Sequence, residues 1–430
     1  MAVRPNQVRI RSYNVGFGDC YLVTFRYPSG RARNVLIDFG SSEASGFSPD
    51  LLTVAEQIKV DCDGKLDVVV ATHRHSDHIS GFGGRSGEVI ASLDPKLIIQ
   101  PWTEDPALDP EATGPAPAGT GAQGLASRTL VSRLSDLQAF AATVVEHVPR
   151  LEAAGVPRSL SGQVRFLGMT NIKNKAAVLG LAAMGEQHVY ASFGTRLPIA
   201  GVLPGVRVDV LGPPTLDQSK KIKTQASKDP IEFWHLTCRR AEQEARGGSE
   251  GGALFPDAPT VRSFPPEARW VIPQIDRMRA DEMLAIVRAL DGVLNNTSII
   301  LLFHVGDSRL LFPGDAQLEN WSYALFTAKR REKIREQLAD VRVYKVGHHG
   351  SLNATPKTLW NGFTRASETK GPDRLVTFVS TLSNKHGSKS RGTEVPRRPL
   401  IDALELRSEL RNTQRIRSRK TFWIEQELDL

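Results

Sequence analysis

The sequence predicts an α/β fold, and three observations carry that prediction. Short apolar runs rich in β-branched residues recur along the chain, as buried strands require. Helix-period segments lie between some of them, so that residues 66–72, 86–93 and 96–100 read as one β-α-β unit. Three of the strand patterns empty directly into polar clusters, at His73–His78, at Asp315 and at His348-His349.

The elements follow in order. Residues 8–12 and 21–25 alternate as two strands around the turn Val15-Gly16-Phe17-Gly18-Asp19, and 34–39 is a third strand. Residues 51–60 form a modest helix that delivers the chain to the Val68-Val69-Val70 strand. From 102 to 124 the chain is rich in Pro, Gly and Ala without apolar periodicity, which reads as a loop, and 127–154 has helical spacing. A strand at 206–211 precedes a long insertion. That insertion holds a polar basic run (219–228), a Gly-Gly-Ser-Glu-Gly-Gly segment (247–252) and a helix pattern at 281–294. Residues 298–303 and 308–312 flank Val305-Gly306-Asp307 as a hairpin. Strands at 340–346 and 375–380, a helix at 399–409 and a strand at 414–425 complete the chain. We expect one domain over 1–430, with 102–160 and 215–294 as insertions within it.

Composition bounds the function classes. The chain has 430 residues, 40% hydrophobic and 24% charged, which suits a soluble globular protein with ample core. No apolar run approaches the roughly 20 residues of a membrane span, and the N-terminal MAVRPNQVRIRSYNVG has no apolar secretory region. Cys20, Cys62 and Cys238 are odd in number and widely spaced, so a reducing, cytoplasmic setting is expected and a cysteine-based zinc site is not. The net charge of +8 permits DNA, RNA or a small phosphodiester as partner. An enzyme with no polyanionic partner could have the same charge. No phosphate-binding P-loop and no serine nucleophile elbow is present.

The chemistry concentrates in HRHSDH. His73, His75, Asp77 and His78 fall within six positions, although the chain holds only ten histidines. Imidazoles with a carboxylate suit zinc, or a first-row neighbour such as manganese, better than magnesium or calcium. The strand ends there, and Ser76-Asp77 starts a helix.

HxHxDH after an apolar strand resembles the signature of metallo-β-lactamase-fold hydrolases. "NVGxGDxxLV" with "xLIDxG", "NNxSIxLL…LLFxGDA" and "KVGHHGS" resemble most closely the ComEC-type hydrolase domain of competence proteins. The resemblance implies a four-layered αββα sandwich with inserted loops and helices, and two zinc ions, with manganese as the alternative. It implies that Asp38 orients the metal loop through hydrogen bonds, and that Asp315 bridges both metals through its two oxygens. KVGHHGS would supply the last histidine ligand. Adjacent side chains on an extended segment point opposite ways, so one of the pair ligates, and His348 is favoured. His349 would then assist the leaving group or bind substrate phosphate, while Asp77 holds a metal and orients the attacking hydroxide. Asn296, Ser351, Ser380, Asn384 and His386 are the candidate substrate contacts.

Two features qualify the site: a missing histidine that ComEC-type domains often lack as well, and a departure from the resemblance in a late loop. No convincing third histidine for the first metal is present: His188 and His235 read as structural, and His304 sits at the wrong end of a hairpin. Ser388 replaces the histidine of the late Gly-His-Pro loop, with His386 nearby. The membrane helices of ComEC proteins are also missing, so the chain would act alone or beside a separately encoded protein partner. The function expected is hydrolysis by a metal-bound hydroxide, as a phosphodiesterase or nuclease. The alternatives are hydrolysis of a small ester, lactone or lactam, or a non-catalytic protein that binds nucleic acid or a partner and keeps a metal site.

Overall fold

The structure, a computed structural model, describes residues 4–106, 108, 112–115, 146, 148–149, 152–153, 174–220, 293–351, 353–383, 385 and 394–430. The basic run beyond Lys220, the 247–252 segment, most of both helix patterns at 127–154 and 281–294, and His147, His235 and Cys238 lie outside them.

Two sheets make the centre. The first contains β1 (Gln7–Tyr13), β2 (Cys20–Arg26), β3 (Ala32–Phe39), β4 (Val68–Val70), β5 (Leu97–Pro101), β6 (Gln187–Ala191) and β13 (Trp423–Asp429), in the order β13-β1-β2-β3-β4-β5-β6. The second contains β7 (Val206–Gly212), β8 (Ile300–Val305), β9 (Ser308–Phe312), β10 (Val343–Lys345), β11 (Val376–Val379) and β12 (Glu409–Asn412), in the order β12-β11-β10-β9-β8-β7. Each sheet begins antiparallel and ends parallel: β1-β2-β3 then β4-β5-β6, and β7-β8-β9 then β10-β11-β12.

The period-two alternation of strand side chains divides the apolar residues between two packing layers. Val8, Ile10, Val23, Val35, Val68, Val70, Leu97 and Ile99 of the first sheet meet Leu301, Phe303, Leu310, Phe312, Val343, Val376 and Phe378 of the second in one core. The opposite face of the first sheet, with Leu22, Leu36, Val69 and Ile98, packs on helices α1 (Leu51–Asp61), α3 (Gly84–Ala91) and α4 (Lys175–Ala183). A four-residue helix, α2 (Ser76–Ile79), carries the HRHSDH loop between them. The outer face of the second sheet, with Ile300, Leu302, Leu311 and Tyr344, packs on α5 (Leu318–Ser322), α6 (Arg331–Ala339), α7 (Lys357–Gly362) and α8 (Arg398–Arg407). The layers are therefore helix, sheet, sheet, helix, the expected αββα sandwich. Strands buried on both faces read as continuous apolar runs, which is why β4, β8 and β11 are evident in the sequence.

Two boundaries differ from expectation. The strand expected over 414–425 starts late: Thr413–Arg415 is a 3-10 turn, and β13 runs Trp423–Asp429 in antiparallel register with β1. Trp102–Glu104, expected to open a loop, is a 3-10 turn with Trp102 and Thr103 buried.

Candidate metal centre

The polar strand ends converge where the two sheets meet. After β4, Thr72 is fixed by Asp38: the Thr72 amide donates to Oδ1 at 2.7 Å and its hydroxyl to Oδ2 at 2.8 Å. Asp38 reaches this position at the end of β3 with a left-handed backbone, φ +55°. Such a conformation costs a non-glycine residue on the order of 1–3 kcal/mol and persists only where the surroundings enforce it. The Asp19 amide donates to the Asp77 carbonyl (2.9 Å), and the Gly40 amide to the Asp19 carbonyl (3.1 Å), so the first turn, the end of β3 and the histidine loop are stitched together. Gly18 allows this approach, since a Cβ there would lie 2.2 Å from the Gly40 carbonyl oxygen and 2.7 Å from that of Asp77.

Ligand-type atoms of Asp77, His78, Asp315 and His349 all lie within 4.8 Å of one another, and all four residues are buried. His78 Nδ1 is 2.8 Å from Asp38 Oδ2, while its Nε2 faces Asp315 Oδ2 at 3.1 Å without a hydrogen bond of normal geometry. His349 Nδ1 is 2.9 Å from the Ser380 carbonyl, which can only accept, so this nitrogen carries the proton. Its Nε2 then lies 3.1 Å from Asp77 Oδ2 and 3.5 Å from Asp315 Oδ2. Asp77 Oδ1 is buried and has no hydrogen-bond partner among the described residues. Two imidazole nitrogens and two carboxylates aimed at one small volume, with buried polar atoms left unsatisfied, suit a zinc-like cation.

The electrostatics agree. Burial would raise the Asp77 carboxyl, but the hydrogen bond from His349 and the charge of His78 hold it below its ordinary value. Burial likewise opposes ionisation of Asp315, and His78, His349 and Lys345 keep it well below the carboxylate range. Burial would lower His78, yet Asp315 and Asp38 hold it well above the usual imidazole value. The buried carboxylates are thus balanced by protons on the imidazoles and by Lys345, and a bound cation would take the place of those imidazole protons.

His73 and His75 lie beside this cluster, with His73 Nε2 2.9 Å from His75 Nδ1 and the His73 ring 4.2 Å from that of His78. Burial, then the neighbouring His78 and His75, push His73 well below the ordinary imidazole value, which keeps it neutral as a ligand must be. Arg74, between them, is pinned to Glu104 at 2.6 Å.

The histidine pair after β10 departs from the sequence reading. Extended backbone was expected to turn His348 inward. Residues His348–Gly350 instead form a 3-10 turn in which His348 (φ +42°) and His349 (φ +51°) are both left-handed. His349 is therefore the residue brought into the cluster, against the Phe17 ring at 4.3 Å. His348 sits at the rim with a side chain 20% exposed, its Nε2 3.9 Å from Asp315 Oδ2 and its Nδ1 2.9 Å from Ser351 Oγ.

The substrate-contact candidates are placed as follows. Ser380 is buried, and its hydroxyl is committed to the Gly18 carbonyl at 2.5 Å, so it holds backbone where a substrate contact was expected. Asn296 is buried with its amide 3.4 Å from Glu319, and is likewise shielded. Ser351 touches His348 at the rim. Asn384 and His386 lie outside the described residues. His188 pairs in register with Ile98, whose side chain faces the helices, and His304 binds Asp209 at 2.9 Å. Neither joins the cluster.

Two residues escaped the sequence reading. Asp19, fully buried, was read only as part of a turn. Lys345, the last residue of β10, is 2% exposed and forms an ion pair with Asp19. The available signal was a single lysine in an apolar strand immediately before VGHHGS, since a buried ammonium must be paired.

No curated protein matches the chain. Residues 13–91, which run from the end of β1 through α3 and contain Asp19, Asp38 and the whole HRHSDH loop, match the family model of the metallo-beta-lactamase superfamily, and the αββα layering of the chain agrees with that match.

Proposed function

We propose that the chain is a phosphodiesterase or nuclease of the ComEC-like type, one domain over 1–430 with insertions at 102–160 and 215–294. The observation that carries this reading is the convergence of Asp77, His78, Asp315 and His349 with both Nδ1 atoms held outward by fixed acceptors. His349, and not His348, is the ligand from the last motif. His73 and His75 would hold a second ion with Asp315 between the two. That pairing has fewer protein donors, so we assign it the weaker affinity. Zinc fits the donor set, with manganese as the alternative.

Bound metal would supply Lewis acidity and a water acidic enough to ionise near neutral pH. The protein's own residues do the rest. Asp38 holds the His78 ring and the Thr72 backbone in place. Ser380 fixes the tautomer of His349. His348, at the accessible rim and oriented by Ser351, is placed to pass a proton from Nε2 to the departing oxygen. A phosphodiester is favoured by the net charge of +8.

The test is a substrate panel of single- and double-stranded DNA, RNA, bis-p-nitrophenyl phosphate and a lactone, with zinc or manganese, beside His349→Ala and Asp315→Ala. We expect phosphodiester cleavage that both substitutions abolish. Cleavage surviving both would remove the assignment of the centre, and activity on the lactone alone would remove the phosphodiester reading.

A further inference from the structure

Lys345 comes from the second sheet and Asp19 from the turn before β2 in the first, and they meet directly behind the cluster. Along β10, Val343 faces the inter-sheet core and Tyr344 the outer helices, so Lys345 again points between the sheets. Three oxygens surround its ammonium group. Nζ donates to the Gly314 carbonyl at 2.9 Å and to Asp315 Oδ1 at 3.3 Å, and it pairs with Asp19 Oδ2. The Asp315 amide is held separately by Ser298 Oγ at 3.2 Å. The two oxygens of Asp315 are therefore unequal. Oδ1 belongs to Lys345, while Oδ2 faces His78, His349 and His348 at 3.1, 3.5 and 3.9 Å.

We propose that Lys345, anchored by Asp19, is a positioning residue that withholds one oxygen of Asp315, so that this carboxylate meets metal through Oδ2 alone. The Gly314 contact adds a second constraint, because it fixes the peptide from which Asp315 projects. The pair also ties the two sheets at the depth where both contribute ligands. The proposal rests on the reading of the cluster as a metal centre.

The experiment is cobalt(II) and zinc titration of the full chain, reading affinity, stoichiometry and the visible cobalt spectrum. It compares wild type, Lys345→Met, and the double variant Lys345→Met/Asp19→Asn. The double variant removes both charges of the pair, leaves net charge unchanged and does not strand Asp19 as an unpaired buried charge, so it is the variant built to fold where the single one does not. We expect affinity to fall about 10- to 100-fold in the double variant, as for loss of other groups that orient metal ligands. We also expect weaker visible absorption, as Asp315 becomes free to chelate and raises the coordination number. A folded double variant with wild-type affinity and spectrum would overturn the proposal and leave the metal centre standing. A wild-type protein that takes up neither metal would overturn the metal centre itself.

Discussion

The two halves of the chain share a plan and use it differently. In each, two antiparallel pairings lead into parallel strands, and the ends of the third and fourth strands carry the polar residues. β3 carries Asp38 as its last residue but one and β4 opens into HRHSDH, while β9 leads to Asp315 and β10 to His348-His349. The first-half carboxylate stands behind a histidine, accepting from His78 Nδ1 and from Thr72. The second-half carboxylate stands in front, with one oxygen among three imidazoles. One position in a repeated topology thus serves as support in one half and faces the cluster of imidazoles in the other. The difference comes from depth: Asp38 still belongs to its strand, whereas Pro313-Gly314 carries Asp315 beyond β9. Neither half makes the cluster alone.

The largest effect of substitution should come from the second half. His349→Ala removes a metal-facing imidazole, and we expect metal affinity to fall by more than the ~100-fold upper range for supporting residues, measured by zinc titration. Its neighbour should behave oppositely. His348→Gln should retain metal and fold while kcat drops about 10²- to 10⁴-fold, the usual range for a lost proton donor. Equal metal loss in both variants would erase the division of labour within the pair. Asp38→Asn should weaken metal binding about 10- to 100-fold, less than His349→Ala, because the first-half carboxylate only supports. A loss as large as that of His349→Ala would make the two carboxylates equivalent and end the contrast. The smallest effect concerns the join between halves. Gly314 has φ +55°, and a Cβ there would lie 2.7 Å from the Thr72 side chain, itself pinned by Asp38. Gly314→Ala should lower unfolding free energy by about 1–3 kcal/mol, read from denaturant titration.

What could be read from the sequence follows from what each residue interacts with. Buried parallel strands, the β8-β9 hairpin and the HRHSDH loop are local signals, and each has its own sequence pattern. β6 and β12 do not: as sheet edges they are partly exposed, as in the QHVYA and ELRN runs, and lack the apolar periodicity that identifies their neighbours. α4 was missed although it is apolar, for its alanines and glycine give little contrast between faces. The inward histidine was misjudged because alternation holds only for extended backbone, and the turn at His348–Gly350 is left-handed. Asp19 and Lys345 could not be paired from sequence at all, since their partnership exists only once the sheets have met.

The pairing of β13 with β1, in register from Gln7 against Asp429 to Tyr13 against Trp423, has a consequence for how the molecule matures during synthesis. A chain made from its N-terminus exposes the HRHSDH loop early, when neither Asp315 nor His349 has been translated. The strand that leads into the Asp19 turn waits longer still, because one of its two neighbours, β13, follows His349 in the chain. The four residues of the cluster thus cannot meet on any nascent fragment that stops short of His349.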